Sequence, residues 1–183
     1  MNTKDFILAS GSPQRRRLLE QIGYQPKLIE PADIDESNHK FEKPSSYVKR
    51  MALEKAQAVA AKHPGENILA CDTVVVVGRR ILHKSQNDEE QQKVMELLSG
   101  KAHRVLSAVC VVSREGKTAL RCVSTRILMK KLSPQEIKDY VAGRDWGGCC
   151  GYKIEGALAA YVTRIIGSYS GIVGLPLYET KNL

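Results

Sequence analysis

An α/β fold of one domain, spanning residues 1–183, is what this sequence predicts, and three observations carry the expectation. Segments with helical spacing of apolar residues alternate along the chain with short runs rich in valine and isoleucine. A length of 183 residues suffices for one well-buried unit with room for a cleft between two lobes, and is too short for two independent ones. No internal repeat, low-complexity tract or linker-like stretch divides it.

The elements follow in order. Phe6 to Ala9 supply a short apolar strand, Gly11 allows a tight turn, and Ser12 N-caps a helix whose first position is Pro13. Glu30 to Ser46 is polar, contains Pro31 and Pro44, and reads as a loop near the cleft. From Ser45 to Lys62, Val48, Met51, Ala52, Lys55, Ala56 and Val59 fall on one side of a helix that His63-Pro64-Gly65 ends. The valine-rich run Ile68 to Val77 reads as a central strand, turned back at Gly78-Arg79-Arg80 through Ile81-Leu82. A helix over Asp88 to Leu98, with Asp88 as N-cap, stops at Ser99-Gly100. Arg104 to Ser113 and Ala119 to Lys130 read as a hairpin closed by Arg114-Glu115-Gly116-Lys117. Ser133-Pro134-Gln135-Glu136 is a capping-box start for a helix to about Val141, ended by Gly143. Cys150 to Gly156 reads as a glycine-flanked turn, Leu158 to Ile166 as a strand, and Gly167 to Gly174 as a small, polar stretch. The helix starting at Pro176 is too short to stand alone, so it docks on the body or the sequence continues past Leu183.

Composition narrows the partners. Lys and Arg number 28 against 20 Asp and Glu, a net charge of +8 that suits polyanionic ligands without choosing among them. Aromatic residues make up 5% and nowhere interleave with basic ones, so no nucleic-acid partner is expected. Five cysteines, Cys71, Cys110, Cys122, Cys149 and Cys150, are odd in number and match no zinc spacing, which points to a reducing cytoplasm and to free thiols at the adjacent Cys149 and Cys150. The N-terminus lacks the apolar core of a signal peptide, and the longest apolar run is broken by Asp72 and Thr73, so neither secretion nor a membrane span is expected.

The segment Ala9-Ser10-Gly11-Ser12-Pro13-Gln14-Arg15 carries the most chemistry. Free N–H groups of the helix start, its positive dipole end, the hydroxyls of Ser10 and Ser12 and the Arg15 guanidinium would converge on an anion. The same residues would serve an ordinary capped helix, with Arg16 and Arg17 facing water, and the segment alone does not decide between the two. Asp72 stands in a run of apolar strand formers, where a carboxylate is costly unless it meets a cation, a metal or a cleft mouth. It reads as a base or metal ligand, or else as a strand-end aspartate capping a turn. Asp35 and Glu36 in the polar loop and Glu155 after the glycine-rich turn are further acids; Arg15, Lys55 and Lys84 are the cations. Acids that hold a divalent ion beside cations that clamp phosphates are what metal-assisted phosphoanhydride cleavage needs.

With Ala9-Ser10-Gly11-Ser12-Pro13 and Arg15, Ala52-Leu53-Glu54-Lys55-Ala56, Cys71-Asp72-Thr73, Ser99-Gly100-Lys101 with His103 and Val105, and Gly167-Ser168-Tyr169 leading to Val173-Gly174-Leu175-Pro176-Leu177, the chain resembles the Maf family of nucleoside triphosphate pyrophosphatases. That family is associated with septum formation and nucleotide-pool sanitation. The resemblance covers nearly the whole chain. It implies an elongated Maf/ITPase-like fold, a mixed twisted sheet flanked by helices with a central cleft between two lobes. It also implies hydrolysis of a nucleoside triphosphate to monophosphate and pyrophosphate with Mg²⁺ or Mn²⁺, and a homodimer. By the same resemblance Ser10, Arg15, Lys55 and Thr73 would bind substrate, Asp72, Lys84 and Glu155 would be catalytic, and Glu36 with Asp72 would hold the metal.

Asp72-Thr73 resembles the subgroup acting on dTTP and UTP, whereas the 7-methyl-GTP subgroup shows serine-aspartate-glutamine. Glu155 points the other way, and the longer match through Asp72-Thr73 and Gly167 to Leu177 outweighs it. Departures from the family pattern are Gln14 where an arginine is usual, Ser85 where a proline is usual, Gly148 in place of a lysine, and Cys150 in place of a glycine. The missing lysine keeps open a catalytically weak nucleotide-binding protein acting through a cell-division partner.

Overall fold

The computed structural model describes residues 5–146 and 153–183. Its elements are β1 (Ile7–Leu8), α1 (Pro13–Gln21), β2 (Leu28–Ile29), α2 (Pro44–Lys62), β3 (Ile68–Val77), β4 (Arg80–Leu82), α3 (Asp88–Leu98), β5 (Ala102–Val112), β6 (Thr118–Met129), α4 (Pro134–Ala142), a 3₁₀ helix (Ala157–Tyr161), β7 (Val162–Ile166), α5 (Tyr169–Val173) and α6 (Leu177–Lys181). The strands form one mixed sheet in the order β2-β1-β3-β5-β6-β7, with β4 attached to β3.

Strand β3 organises this sheet. One edge pairs with β5 without a break, antiparallel, from Ile68 opposite Val112 to Val76 opposite Arg104. The other edge is shared. Parallel β1 takes it at Ile68 and Leu69, and antiparallel β4 takes it at Val75, Val76 and Val77. Between them, among the described residues, the β3 edge carries no strand from Ala70 to Val74, and the chain of β1 turns away there into α1. The end of a parallel strand beside such an opening is where α/β sheets bind ligands.

The two faces of the sheet are covered differently. Helix α2 lays Val48, Met51, Ala52, Ala56 and Val59 over Ile68, Ala70, Val74, Val76, Leu106 and Ala108, forming one continuous core. On the opposite face there are two cores. Cys71, Val109 and Val111 pack with Leu18 and Leu19 of α1 and with Leu175, whereas Val75, Val105 and Ile127 pack with Met95 and Leu98 of α3 and Ile137 and Tyr140 of α4. The residues between them are Thr73 and Ser107, which are register partners and share a 2.7 Å hydrogen bond. A polar pair in mid-sheet thus separates the two lobes.

Most expected elements are present, including the Ser12 cap, whose Oγ accepts from Arg15 N at 3.5 Å, and the Ser133–Glu136 capping box. Three differ. Asn87, not Asp88, caps α3: it is extended and its Oδ1 accepts from Glu90 N at 2.9 Å, leaving Asp88 in the first turn, where a carboxylate favours the dipole. The expected strand from Leu158 to Ile166 begins as a 3₁₀ helix, because Asp145 accepts from Ala157 N at 2.7 Å and bends the chain, so only Val162–Ile166 reach β6. Strand β2, with Leu28 42% and Ile29 39% exposed, is too short and too open to show an apolar pattern. Within the small, polar stretch before Gly174, Ser168 caps the short α5 by accepting from Gly171 N at 3.0 Å.

The polar loop before α2 is held to that helix by Arg50. Its guanidinium donates to Glu42 Oε1 at 2.8 Å and Oε2 at 2.7 Å, to the Ser37 carbonyl at 3.0 Å and to Glu54 at 3.2 Å. The Arg50 hydrogen bonds hold the Glu42 carboxyl down at about 2, from an ordinary 4.5. A depressed carboxyl contributes stability that is full above its ordinary value and is lost as pH falls through the folded value. Glu42→Gln is therefore expected to melt below wild type above about pH 4.5, with the difference closing toward pH 2. Thermal melts of both proteins across that window check this; a gap independent of pH would show that the pair contributes no charge interaction.

Candidate active site

The opening on the β3 edge is the mouth of a cavity of about 520 Å³. Every residue expected at the site lines it: Ser10 and Arg15 from the β1–α1 turn, Glu36 from the loop, Lys55 from α2, Asp72 and Thr73 from β3, Lys84 after β4, and Glu155. The β1–α1 turn forms the cradle. Arg15 Nη1 donates to Ser10 Oγ at 2.8 Å, and Arg15 Nε donates to the Gly174 carbonyl at 2.9 Å. Arg16 and Arg17 face solvent.

Facing the cradle is a buried ion triad. Asp72 points to the α2 side of the sheet and Lys55 lies on the buried face of α2, so packing brings them together. Lys55 Nζ lies 2.8 Å from Asp72 Oδ1 and 3.0 Å from Glu36 Oε1. The Lys55 and Asp72 side chains are 11% and 8% exposed and that of Glu36 is 54% exposed, so the triad has one wet end. Asp72 Oδ2 is buried and, among the described residues, has no hydrogen-bond partner. Leaving a buried acceptor's lone pairs unused is costly, and Asp72 lines the cavity. Tyr47 supports the loop from beneath, its hydroxyl donating to the Glu36 carbonyl at 2.8 Å. Burial, then the negative charges of Asp72 and Glu36, push the Tyr47 phenol up to about 12, so it remains a donor.

The chain's last segment closes the site from the other side. Gly174, at φ 133 in a conformation open to glycine, turns its carbonyl toward Arg15 Nε at 2.9 Å, Cys71 Sγ at 3.0 Å and Thr73 Oγ1 at 3.4 Å. Arg15 and Thr73 are thereby fixed by one atom. Burial raises the Cys71 thiol above its ordinary value, so it stays protonated and inert.

Residues that sequence reasoning did not single out for a positioning role are Gly174 and Ser107, because their function is contact with chain segments distant in sequence. Lys153 also lines the cavity, with its ammonium 3.2 Å from Asp145 Oδ1. Gly148, Cys149 and Cys150 lie outside the described residues. Among the described residues no group of three or more His, Cys, Asp and Glu gathers as a metal cage, and no helix is long and apolar enough to cross a membrane.

Fold and site define an α/β protein in which a helix start with Ser10 and Arg15 shares one cleft with an acid pair, Glu36 and Asp72. The chain belongs to the Maf-like protein family, which it matches over residues 5–183. The dTTP/UTP pyrophosphatase of Zymomonas mobilis subsp. mobilis is 48% identical over 179 residues, covering 97% of this chain and 89% of that protein. The dTTP/UTP pyrophosphatase of Caulobacter vibrioides is 46% identical over 179 residues, covering 97% and 93%. A solved HAM1 protein structure from Coxiella burnetii aligns with a TM-score of 0.49 at 18% identity, over 81% of this chain and 78% of that one.

Proposed function

We propose that this chain hydrolyses dTTP and UTP to the nucleoside monophosphate and pyrophosphate. The observation that carries the reading is the meeting, in one cavity, of the helix-start cradle of Ser10 and Arg15 with the Lys55–Asp72–Glu36 triad. The names of the relatives, with Asp72-Thr73, favour the pyrimidine subgroup. A cytoplasmic location accords with the free thiols of Cys71, Cys110 and Cys122.

In this reading Arg15 and Ser10 bind phosphate oxygens at the helix start, where the N–H groups and dipole favour anions. Thr73, held by Ser107 and Gly174, forms the wall on which the nucleotide is seated. Asp72 Oδ2 takes a proton from the attacking water as the water oxygen bonds the α-phosphorus. The bond from the α-phosphorus to the bridging oxygen breaks, and pyrophosphate leaves with its charge neutralised by Lys84 and Lys55. Glu155 orders water at the mouth. A divalent cation fits this donor set. Glu36 Oε1 and Asp72 Oδ1 already converge on one cation, the Lys55 ammonium, and two carboxylates with substrate phosphates and water are a Mg²⁺ or Mn²⁺ environment. Bound there, it would supply charge neutralisation for the triphosphate.

The test is pyrophosphate release from dTTP, UTP, CTP, 7-methyl-GTP and the standard nucleoside triphosphates, with Mg²⁺ and with Mn²⁺. Turnover is expected for dTTP and UTP foremost. A preference for 7-methyl-GTP would overturn the subgroup, and binding without cleavage would make the chain a nucleotide-binding protein.

A further inference from the structure

We infer that Lys55 is an exchangeable resident cation: its ammonium holds the Glu36–Asp72 seat in the free protein and gives it up to a divalent ion when it moves to the incoming phosphates. The inference rests on the reading of this cleft as a metal-assisted phosphate site. Lys55 Nζ lies within hydrogen-bond distance of both acids, so one oxygen of each is already taken. A divalent ion on the same two oxygens would stand against an ammonium at contact distance, in a setting where Lys55 and Asp72 are nearly buried and charge repulsion is poorly screened.

The triad also shows why Lys55 is the member that moves. Asp72 is fixed in mid-strand, opposite Ala108, and Glu36 is held through its own carbonyl by Tyr47. Lysine carries its charge on a flexible four-carbon stem. The cavity wall offers the cradle of Ser10 and Arg15 and the neighbouring Lys84, a region of positive charge that repels Lys55 until a triphosphate lies across it. Once phosphates are present they supply the ammonium with new acceptors, and the two carboxylates are released together.

Two consequences follow. Metal and triphosphate bind with positive coupling, reciprocal by linkage, because each removes the obstacle to the other. Asp72 Oδ2, which Lys55 does not engage, takes no part in the exchange.

The experiment is Mn²⁺ binding to the full chain without nucleotide, read from the paramagnetic resonance signal of free Mn²⁺. Wild type is expected to bind weakly. Lys55→Met, which keeps the stem and removes the charge, is expected to bind roughly 10-fold tighter. Adding Asp72→Asn to Lys55→Met should abolish the gain, placing the ion at this seat. Lys55→Met binding Mn²⁺ no more tightly than wild type would overturn the inference. Should Lys55→Met fail to fold, wild type decides alone: the nitrogen-15 resonance of the Lys55 ammonium should shift on Mg²⁺ saturation, and a resonance unmoved at saturation would equally overturn it. Neither readout involves turnover. A protein that exchanges Lys55 for metal but does not cleave dTTP or UTP would fail the functional reading and keep this one, and an active enzyme with an immobile Lys55 would do the reverse.

Discussion

Asp72→Asn is expected to lower pyrophosphate release from dTTP and UTP by about 10²–10⁴-fold, the scale of losing a positioned general base. The carboxamide keeps the shape of the side chain and still offers Lys55 an oxygen, while Glu36 retains the other half of the ammonium's hydrogen bonding. The fold and the cradle therefore persist, and nucleotide affinity, read by calorimetry, should change far less than turnover. What the variant loses is an acceptor for the water proton at the buried Oδ2 position. Unchanged turnover would remove Asp72 from the chemistry. A parallel collapse of affinity and melting temperature would make it a structural partner of Lys55 instead.

Arg15→Lys is expected to cost nearly as much as Arg15→Ala, about 10²-fold or more in kcat/KM, the scale of losing a donor at developing charge. The reason is geometric. Arg15 spends Nε on the Gly174 carbonyl and Nη1 on Ser10 Oγ, which leaves Nη2 of its planar fork for a ligand of the cavity that Arg15 lines. Lysine carries the charge without the fork and cannot be anchored and presented at once. With Gln14 beside it and Gly148 where the family resemblance implies a lysine, Arg15 is expected to carry a larger share of the positive charge. Near-normal activity in Arg15→Lys would show that a point charge suffices and that the link to Gly174 has no role in the reaction.

Strand β3 and helix α2 were legible because their patterns are long. Ten consecutive residues, Ile68–Val77, read as a buried strand, and the inner stripe of α2 placed Lys55 on the buried face before any partner for it was visible. A lysine on a core stripe and an aspartate in a valine run are each costly alone, and that cost is what marked both. The cap of α3 is not legible because Asn87 and Asp88 both suit an N-cap, and only the extended backbone at Asn87 chooses between them. The bend at Ala157 and the two-residue β2 were not legible, since one depends on Asp145 and the other buries too little to leave a pattern.

By itself the sequence determined the α/β class, the caps, the central strand and the identity of the charged residues, because these rest on periodicity and on the chemistry of near neighbours. Tertiary structure alone decided that β1 and β4 share one edge of β3 and leave a gap there, that Thr73 and Ser107 divide the opposite face into two cores, and that the Gly174 carbonyl fixes Arg15 and Thr73. It also decided that Lys55 stands between Glu36 and Asp72. Each of these joins residues far apart along the chain, and such a contact is set by how faces pack rather than by any local preference of the residues that make it.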